Sequence, residues 1–155
     1  MKKLLIVLLL AALLLTGCAA KEEKPLPEAA ALAQAVLDSQ TYTEEMSAVS
    51  EKRLQALLGL TAEDYAQAVL IMDTSRATSE MIAVITAKDA AGADQAAARL
   101  NDYLLSLRAQ YADYRPEEMP KLNAAQVQRR GLQCALAVAP DQVAARQAVD
   151  SAWGM

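Results

Sequence analysis

The spacing of apolar residues predicts three long helices. Apolar residues recur three or four positions apart after Pro27, after Asp89 and after Asp141, which is the period of a helix with one buried face. The first helix is expected to end near Asp38 and the second before Pro116, where Pro116 and Pro120 are expected to start a loop. The buried stripes are Ala29, Leu32, Ala33, Val36 and Leu37; then Ala93, Ala96, Leu100, Leu104, Leu107, Tyr111 and Tyr114; then Ala145, Ala148, Val149, Ala152 and Trp153.

Two apolar runs between the first two helices predict strands. Residues 80–88 are rich in β-branched side chains and form the clearer strand. Residues 68–72 are also interpreted as a strand, although a helix that continues from Asp64 to Met72 fits the same residues. Before these runs, the sequence predicts a loop over residues 40–50, a short helix over residues 51–58, and another helix that begins at Thr61.

A hairpin is predicted around Gly131, between residues 124–130 and 132–139. Along its second arm, bulky residues alternate with polar or small ones, so Cys134 is expected to face the core. The opposite face would carry a polar, small-chained surface. This surface is a possible binding face, although the N-terminal helices could equally cover it; its polar residues are Gln126, Gln128, Arg130 and Gln133.

The order of these elements predicts an α+β fold. Each of the two hairpins is followed by an alanine-rich helix, which suggests a ββα unit used twice. We therefore expect a two-layer domain with a four-stranded, mostly antiparallel sheet and helices packed on one face. Further helices would precede this ββαββα-like core. Residues 27–155 would form this single domain.

The start of the chain has the pattern of a secretory signal peptide. Lys2 and Lys3 precede twelve apolar residues, 4–15. As a helix, this run would span about 18 Å, which is short of the roughly 30 Å hydrocarbon core of a bilayer. The pattern therefore predicts an export signal over residues 1–17, not a membrane span.

The end of that signal resembles a bacterial lipobox. Leu15, Thr16 and Gly17 would form the cleavage site, and Cys18 would receive the lipid and become the new N terminus. Two or more acyl chains give a stable anchor, at about 0.8 kcal/mol per buried methylene group. We therefore expect a tether over residues 18–26 and a domain held on the extracytoplasmic side of a cell membrane.

Composition excludes several kinds of chemistry. After cleavage, 13 basic residues stand against 19 acidic ones, and no basic cluster favours nucleic acid as a partner. The chain has no histidine, so catalytic triads and imidazole metal sites are impossible. Once Cys18 is lipidated, Cys134 has no disulfide partner. We predict no catalytic residue, no metal and no cofactor.

Several short motifs resemble the family of bacterial lipoproteins that carry domain of unknown function 4358. The resemblance implies a secreted lipoprotein with an α+β domain, and it implies no activity. From the residues, the leading hypothesis is a non-enzymatic module that binds a ligand or protein at the cell envelope. An accessory subunit of an envelope complex and a carboxylate-dependent hydrolase are the alternatives. The motifs are Leu57-Leu58-Gly59-Leu60, Glu63-Asp64, the strand over 80–88 with Lys88-Asp89, Gln110-Tyr111-Ala112-Asp113-Tyr114-Arg115-Pro116, and the Val127 to Gly131 hairpin.

Overall fold

The computed structural model describes residues 24–155, which form one antiparallel sheet with helices around it. The sheet has five strands in the order β1-β2-β3-β5-β4. This architecture confirms the predicted α+β class. The strands are β1 (Met46–Ala48), β2 (Tyr65–Asp73), β3 (Met81–Ala87), β4 (Gln128–Arg130) and β5 (Gln133–Val138). The helices are α1 (Ala29–Asp38), α2 (Glu51–Leu58), α3 (Ala90–Tyr114), α4 (Met119–Ala124) and α5 (Gln142–Trp153).

The sheet has one strand more than the predicted four. β1 lies inside the segment predicted to be mostly loop, and its three residues pair with Ile71–Asp73 of β2. Three residues are too few to show the alternation of apolar and polar positions that predicts a strand. Only the pairing with β2 defines β1. The favoured strand over residues 68–72 is confirmed and is longer than expected.

Thr61 begins a turn, not a helix. The Asp64 carboxylate accepts hydrogen bonds from the backbone N–H of Thr61 at 2.7 Å and from its hydroxyl at 2.9 Å. These contacts reproduce half of a capping box, so the local chemistry that predicted a helix start is present. No helical turn follows, because the chain enters β2 at Tyr65.

Helices cover both faces of the sheet, which corrects the expected two-layer arrangement. β5 is buried along its whole length, and so is β3 except at Thr86. An apolar strand of this kind needs cover on both sides. One face packs against α2, α3 and α4 through large residues such as Leu100 and Leu136. The other packs against α1 and α5.

Where β5 contributes to it, the α1/α5 face of the sheet is built from small residues. Ala135 and Ala137 of β5 are buried beneath Leu32 and Val36 of α1 and Trp153 of α5. Methyl side chains on the sheet let the two helices approach closely, so large helix side chains fill the space instead. The alanine-rich arm of the hairpin is therefore a helix-packing surface.

The predicted repeat of a ββα unit is present in the order of the elements. β2 and β3 precede α3, and β4 and β5 precede α5. The two helices nevertheless pack on opposite faces of the sheet. The helices start at Asp89 and Asp141, as the sequence predicts, and both side chains cap them. Asp89 accepts a hydrogen bond from the backbone N–H of Gly92, and Asp141 accepts from those of Val143 and Ala144.

The segment after α3 is helical and not the expected loop. Pro116–Glu118 forms a 3-10 turn that continues into α4. Pro120 is tolerated because it lies in the first turn of α4, where its missing N–H would have no partner. Arg108 of α3 holds this segment by donating to the carbonyl oxygens of Leu122 and Ala125 at 3.0–3.1 Å.

Candidate functional site

Gln133, one of the four residues of the predicted binding face, lies in the interior. It is completely buried on the α1/α5 face. Its side-chain NH2 group donates to the Pro27 carbonyl and to the Thr86 hydroxyl, both at 2.8 Å, and its oxygen accepts from the Trp153 indole N–H at 2.7 Å. A polar side chain with every group paired stabilises the interior and has nothing left for a ligand.

Arg130 is also tied to the fold. It is half-buried, and its guanidinium donates to the carbonyl oxygens of Trp153 and Lys24. These bonds join the β4–β5 hairpin to the end of α5 and to the first described residue of the chain. The part of the face that carries Arg130 and Gln133 is thus covered, which is one of the two arrangements that the sequence left open. The cover comes from α1 and the C-terminal α5.

The other two predicted residues line a surface groove of about 430 Å³. We call this surface the amide groove. Gln126 and Gln128 form one wall, and α5 forms the other. The full lining consists of Ala124, Gln126, Gln128, Gln142, Val143, Arg146, Gln147 and Asp150.

Part of the amide groove is paired and part is open. Gln128 donates to the Asp150 carboxylate at 3.1 Å, and Gln142 donates to the Ala137 carbonyl at 3.0 Å. For the exposed side chains of the groove, no hydrogen-bonding or ionic partner is found within residues 24–155; they are Gln126, Arg146 and Gln147. Val143 adds an apolar side chain that is 66% exposed. The groove therefore offers free amide and guanidinium groups beside an apolar contact.

The lining of the amide groove suits recognition better than catalysis. A glutamine amide both donates and accepts, so several amides together fit a ligand rich in uncharged hydrogen-bonding groups. The groove has no nucleophile beside a base, which covalent catalysis requires. The contribution of α5 was missed because the polar face of a helix ordinarily meets solvent. The one signal in the sequence was an apolar residue, Val143, among the polar positions 142, 146, 147 and 150 of the same helix.

A second polar cluster lies at the end of the sheet where β2 turns into β3. The Lys121 ammonium is 2.9 Å from a carboxylate oxygen of Glu80 and 2.8 Å from one of Glu118. The Glu80 side chain is completely buried and that of Glu118 is 8% exposed. We call these three residues the ionic network. It contains the two converging carboxylates that a hydrolase would need.

Every carboxylate oxygen of the ionic network has a partner. Glu80 also accepts from the backbone N–H and the hydroxyl of Thr43 at 2.8 and 2.5 Å. Glu118 also accepts from the N–H and the hydroxyl of Ser79 at 2.9 and 2.8 Å. Burial alone would raise the pKa of Glu118, but hydrogen bonds from Lys121 and Ser79 outweigh it and hold the pKa below its usual range. The cluster therefore holds chain segments together.

The structure describes one of the two predicted cysteine environments, that of Cys134. Cys134 is completely buried on the α3 side, as predicted, and burial raises the pKa of its thiol. Within residues 24–155, no three acidic or cysteine side chains are grouped to hold a metal ion. The signal peptide, its cleavage residues Leu15, Thr16 and Gly17, and the lipidation site Cys18 lie outside the described residues.

No helix in the described part of the chain has both the length and the apolar character that crossing a membrane requires.

Comparison with known proteins identifies one family. The model of a domain of unknown function, DUF4358, matches residues 38–139. This stretch contains all five strands and α2, α3 and α4, whereas α5 and all but the last residue of α1 lie outside it. No curated protein and no solved structure matches the chain. The match covers well over half of the sequence, and the chain therefore belongs to the DUF4358 family.

Proposed function

We propose that the protein is a lipid-anchored extracytoplasmic module that binds a ligand in the amide groove and catalyses no reaction. The anchor rests on the Leu15 to Cys18 motif behind a charged and then apolar start. The binding role rests on one structural observation, which is the set of unpaired polar side chains around Val143.

Polar groups that line a concave surface and lack protein partners are the usual elements of a binding site. Gln126 approaches the groove from one wall, and Arg146 and Gln147 approach it from the other. A ligand with both donors and acceptors, such as a peptide backbone or an amide-bearing sugar, would satisfy them together. Val143 would supply apolar contact area.

Binding is favoured over the two alternatives. The carboxylates that do converge are buried and already paired, so no position remains for a substrate between them. An accessory subunit would be expected to present a continuous apolar patch. The large exposed apolar residues of the described chain are instead scattered over three places, at Leu105 and Tyr114 of α3, Val143 of α5 and Met155.

The proposed anchor would hold the hairpin end of the sheet near the membrane. The Lys24 carbonyl accepts a hydrogen bond from Arg130, so the described chain begins beside the β4–β5 hairpin. The six residue-to-residue steps from Cys18 to Lys24 span at most about 21 Å when fully extended. The groove would therefore lie within a few nanometres of the bilayer surface.

The anchor is tested by the mass of the mature N-terminal peptide and by cell fractionation. We expect a peptide that begins at Cys18 and carries acyl chains, and we expect Cys18→Ala to move the protein out of the membrane fraction. An unmodified N terminus, or a membrane-bound Cys18→Ala variant, would refute the anchor without affecting the groove.

The groove is tested with a photo-crosslinking amino acid placed at Val143 in intact cells. The matched control places it at Leu105, which is 58% exposed on the opposite side of the sheet. We expect a discrete crosslinked species from position 143 that is absent from position 105, and its mass identifies the ligand class. Identical patterns from the two positions, or no species from either, would contradict binding in the groove.

A further inference from the structure

A second pocket carries two arginines that have no acidic partner. It measures about 240 Å³ and lies between α2, α3 and the loop from β2 to β3. Its polar lining consists of Arg53, Arg76, Tyr103, Gln110 and Tyr111, and three apolar side chains complete it. We call it the arginine pocket. It lies on the α3 face of the sheet, away from the amide groove.

The charge of the arginine pocket is unbalanced. Within the described residues, neither arginine forms a salt bridge, and no aspartate or glutamate lines the pocket. The Nε atom of Arg53 is buried and has no hydrogen-bond partner among residues 24–155. A buried guanidinium donor without an acceptor is unfavourable, so the site is incomplete as it stands.

The loop that carries Arg76 is held in a conformation that a non-glycine residue rarely adopts. The φ angle of Arg76 is +64°. Asp73 fixes this loop by accepting from the N–H and hydroxyl groups of Ser75 and Thr78 at 2.6–3.0 Å. These hydrogen bonds keep Arg76 in the strained conformation, and its side chain lines the arginine pocket.

The tyrosines complete the recognition surface. Both guanidinium groups are close enough to Tyr103 to oppose the rise that burial causes in its pKa. Tyr111 is held in place by donating from its hydroxyl to the Thr78 carbonyl at 2.7 Å. The aromatic rings and the apolar side chains between the arginines form a wall for the uncharged part of a ligand.

We propose that the arginine pocket binds a small anion, a phosphate or carboxylate group on a short aromatic or apolar stem. Arginine is the side chain best suited to both groups, because its planar fork of donors matches two oxygen atoms at once. The pocket is smaller than the 300–1,000 Å³ typical of sites for drug-sized ligands, so it fits a terminal group or a small molecule. The excess of acids in the mature chain makes two adjacent unpaired arginines a specific feature.

The test is a calorimetric titration of the full-length mature protein in neutral detergent micelles. Phenyl phosphate, benzoate and uncharged benzamide are titrated separately. We expect saturable binding of at least one anion and none of benzamide. The stronger anion then shows whether phosphate or carboxylate is the natural group. No saturable binding of either anion, or equal binding of benzamide, would overturn the proposal.

Variants locate the binding. Arg53→Gln combined with Arg76→Asn should lower the affinity for the anion at least tenfold. Asparagine is chosen at position 76 because it tolerates the left-handed backbone. Lys52→Gln removes one positive charge from the same helix outside the pocket and should change affinity less than twofold. Circular dichroism and the unfolding temperature show that both variants are folded, and Tyr103→Phe gives a milder change if the double variant is not. Equal losses in the double variant and Lys52→Gln would show nonspecific charge attraction and refute the site.

Discussion

The ionic network and the amide groove both collect polar side chains, but they use them differently. In the network, Glu80 and Glu118 are buried, Lys121 is half-buried, and every carboxylate oxygen has a donor. In the groove, Gln126, Arg146 and Gln147 are exposed, and no partner for them is found in the described residues. Paired polar groups stabilise the fold, whereas unpaired ones at a concave surface are available to a ligand.

The largest effect is expected from removing the cation of the network. Lys121→Met would leave two buried carboxylates facing each other, and breaking a buried ion pair in this way costs about 3–5 kcal/mol. Chemical denaturation measures the loss in the free energy of unfolding. Lys52→Met, on the exposed face of α2, is the control and should stay within about 0.5 kcal/mol of the parent protein. Equal effects would mean that the network does not stabilise the fold.

Acid should weaken the same end of the sheet. Burial would raise the pKa of Asp73, but hydrogen bonds from Ser75 and Thr78 outweigh it and lower the pKa, as Ser79 and Lys121 do for Glu118. A depressed pKa contributes stability that is present above the unfolded values of about 4 and is lost as the pH falls through the folded pKa. The unfolding temperature should therefore drop below about pH 4. A Glu118→Gln variant should lose part of this dependence, and an unchanged acid slope would contradict the assignment.

At alkaline pH, Lys121 gives the stability of the protein the opposite pH dependence. Burial would lower the pKa of Lys121, but hydrogen bonds and attraction from Glu118 and Glu80 raise it. A raised pKa contributes stability that is complete below the unfolded value of about 10.4 and is lost as the pH rises through the folded pKa. The unfolding temperature should thus fall again in strongly alkaline solution, and Lys121→Met should remove that component.

A smaller loss is expected on the other face of the sheet. Trp153→Phe removes the indole donor and leaves the buried oxygen of Gln133 without its partner. An unsatisfied buried group of this kind costs about 1–3 kcal/mol. Thermal unfolding followed by far-ultraviolet circular dichroism measures the effect. A neutral result would show that Gln133 finds another donor and that the covered face is less specific than its hydrogen bonds indicate.

The smallest effect on stability is expected in the amide groove. Arg146→Ala combined with Gln147→Ala removes two exposed side chains whose loss should change the free energy of unfolding by less than about 0.5 kcal/mol. The same variant should lose the crosslinked species obtained from position 143. A large loss of stability would show that these side chains support the fold.

Local patterns predicted most of the elements. The stripe of α3 as far as Leu107, the start of that helix at Asp89 and the hairpin at Gly131 were each encoded within a few neighbouring residues. The stripe was wrong at its end, since Tyr114 is 77% exposed. β1 was missed because three residues are defined only by their partner strand. α4 was missed because Pro116 and Pro120 predict a loop, although both prolines suit a first helical turn.

Distant contacts explain why the site was only half predicted. Alternation along the hairpin placed Gln126, Gln128, Arg130 and Gln133 on one side of the sheet, but it could not show which of them α5 would cover. The ionic network was invisible for a similar reason, since Glu80 and Lys121 are 41 positions apart. Arg53 precedes β2 in the chain and Arg76 follows it, so the two arginines line one pocket only in the folded protein.

The most direct test measures the photo-crosslink from position 143 in intact cells in three backgrounds, each present at the same level and confirmed to be folded. They are the otherwise unchanged protein, the Arg146→Ala and Gln147→Ala double variant, and Glu118→Gln. We predict that the groove variant abolishes the crosslinked species and that the network variant retains it, because Glu118→Gln lowers the stability of the fold without changing the groove. Its persistence in the groove variant, or its loss only in the network variant, would contradict the division between a stabilising network and a binding groove.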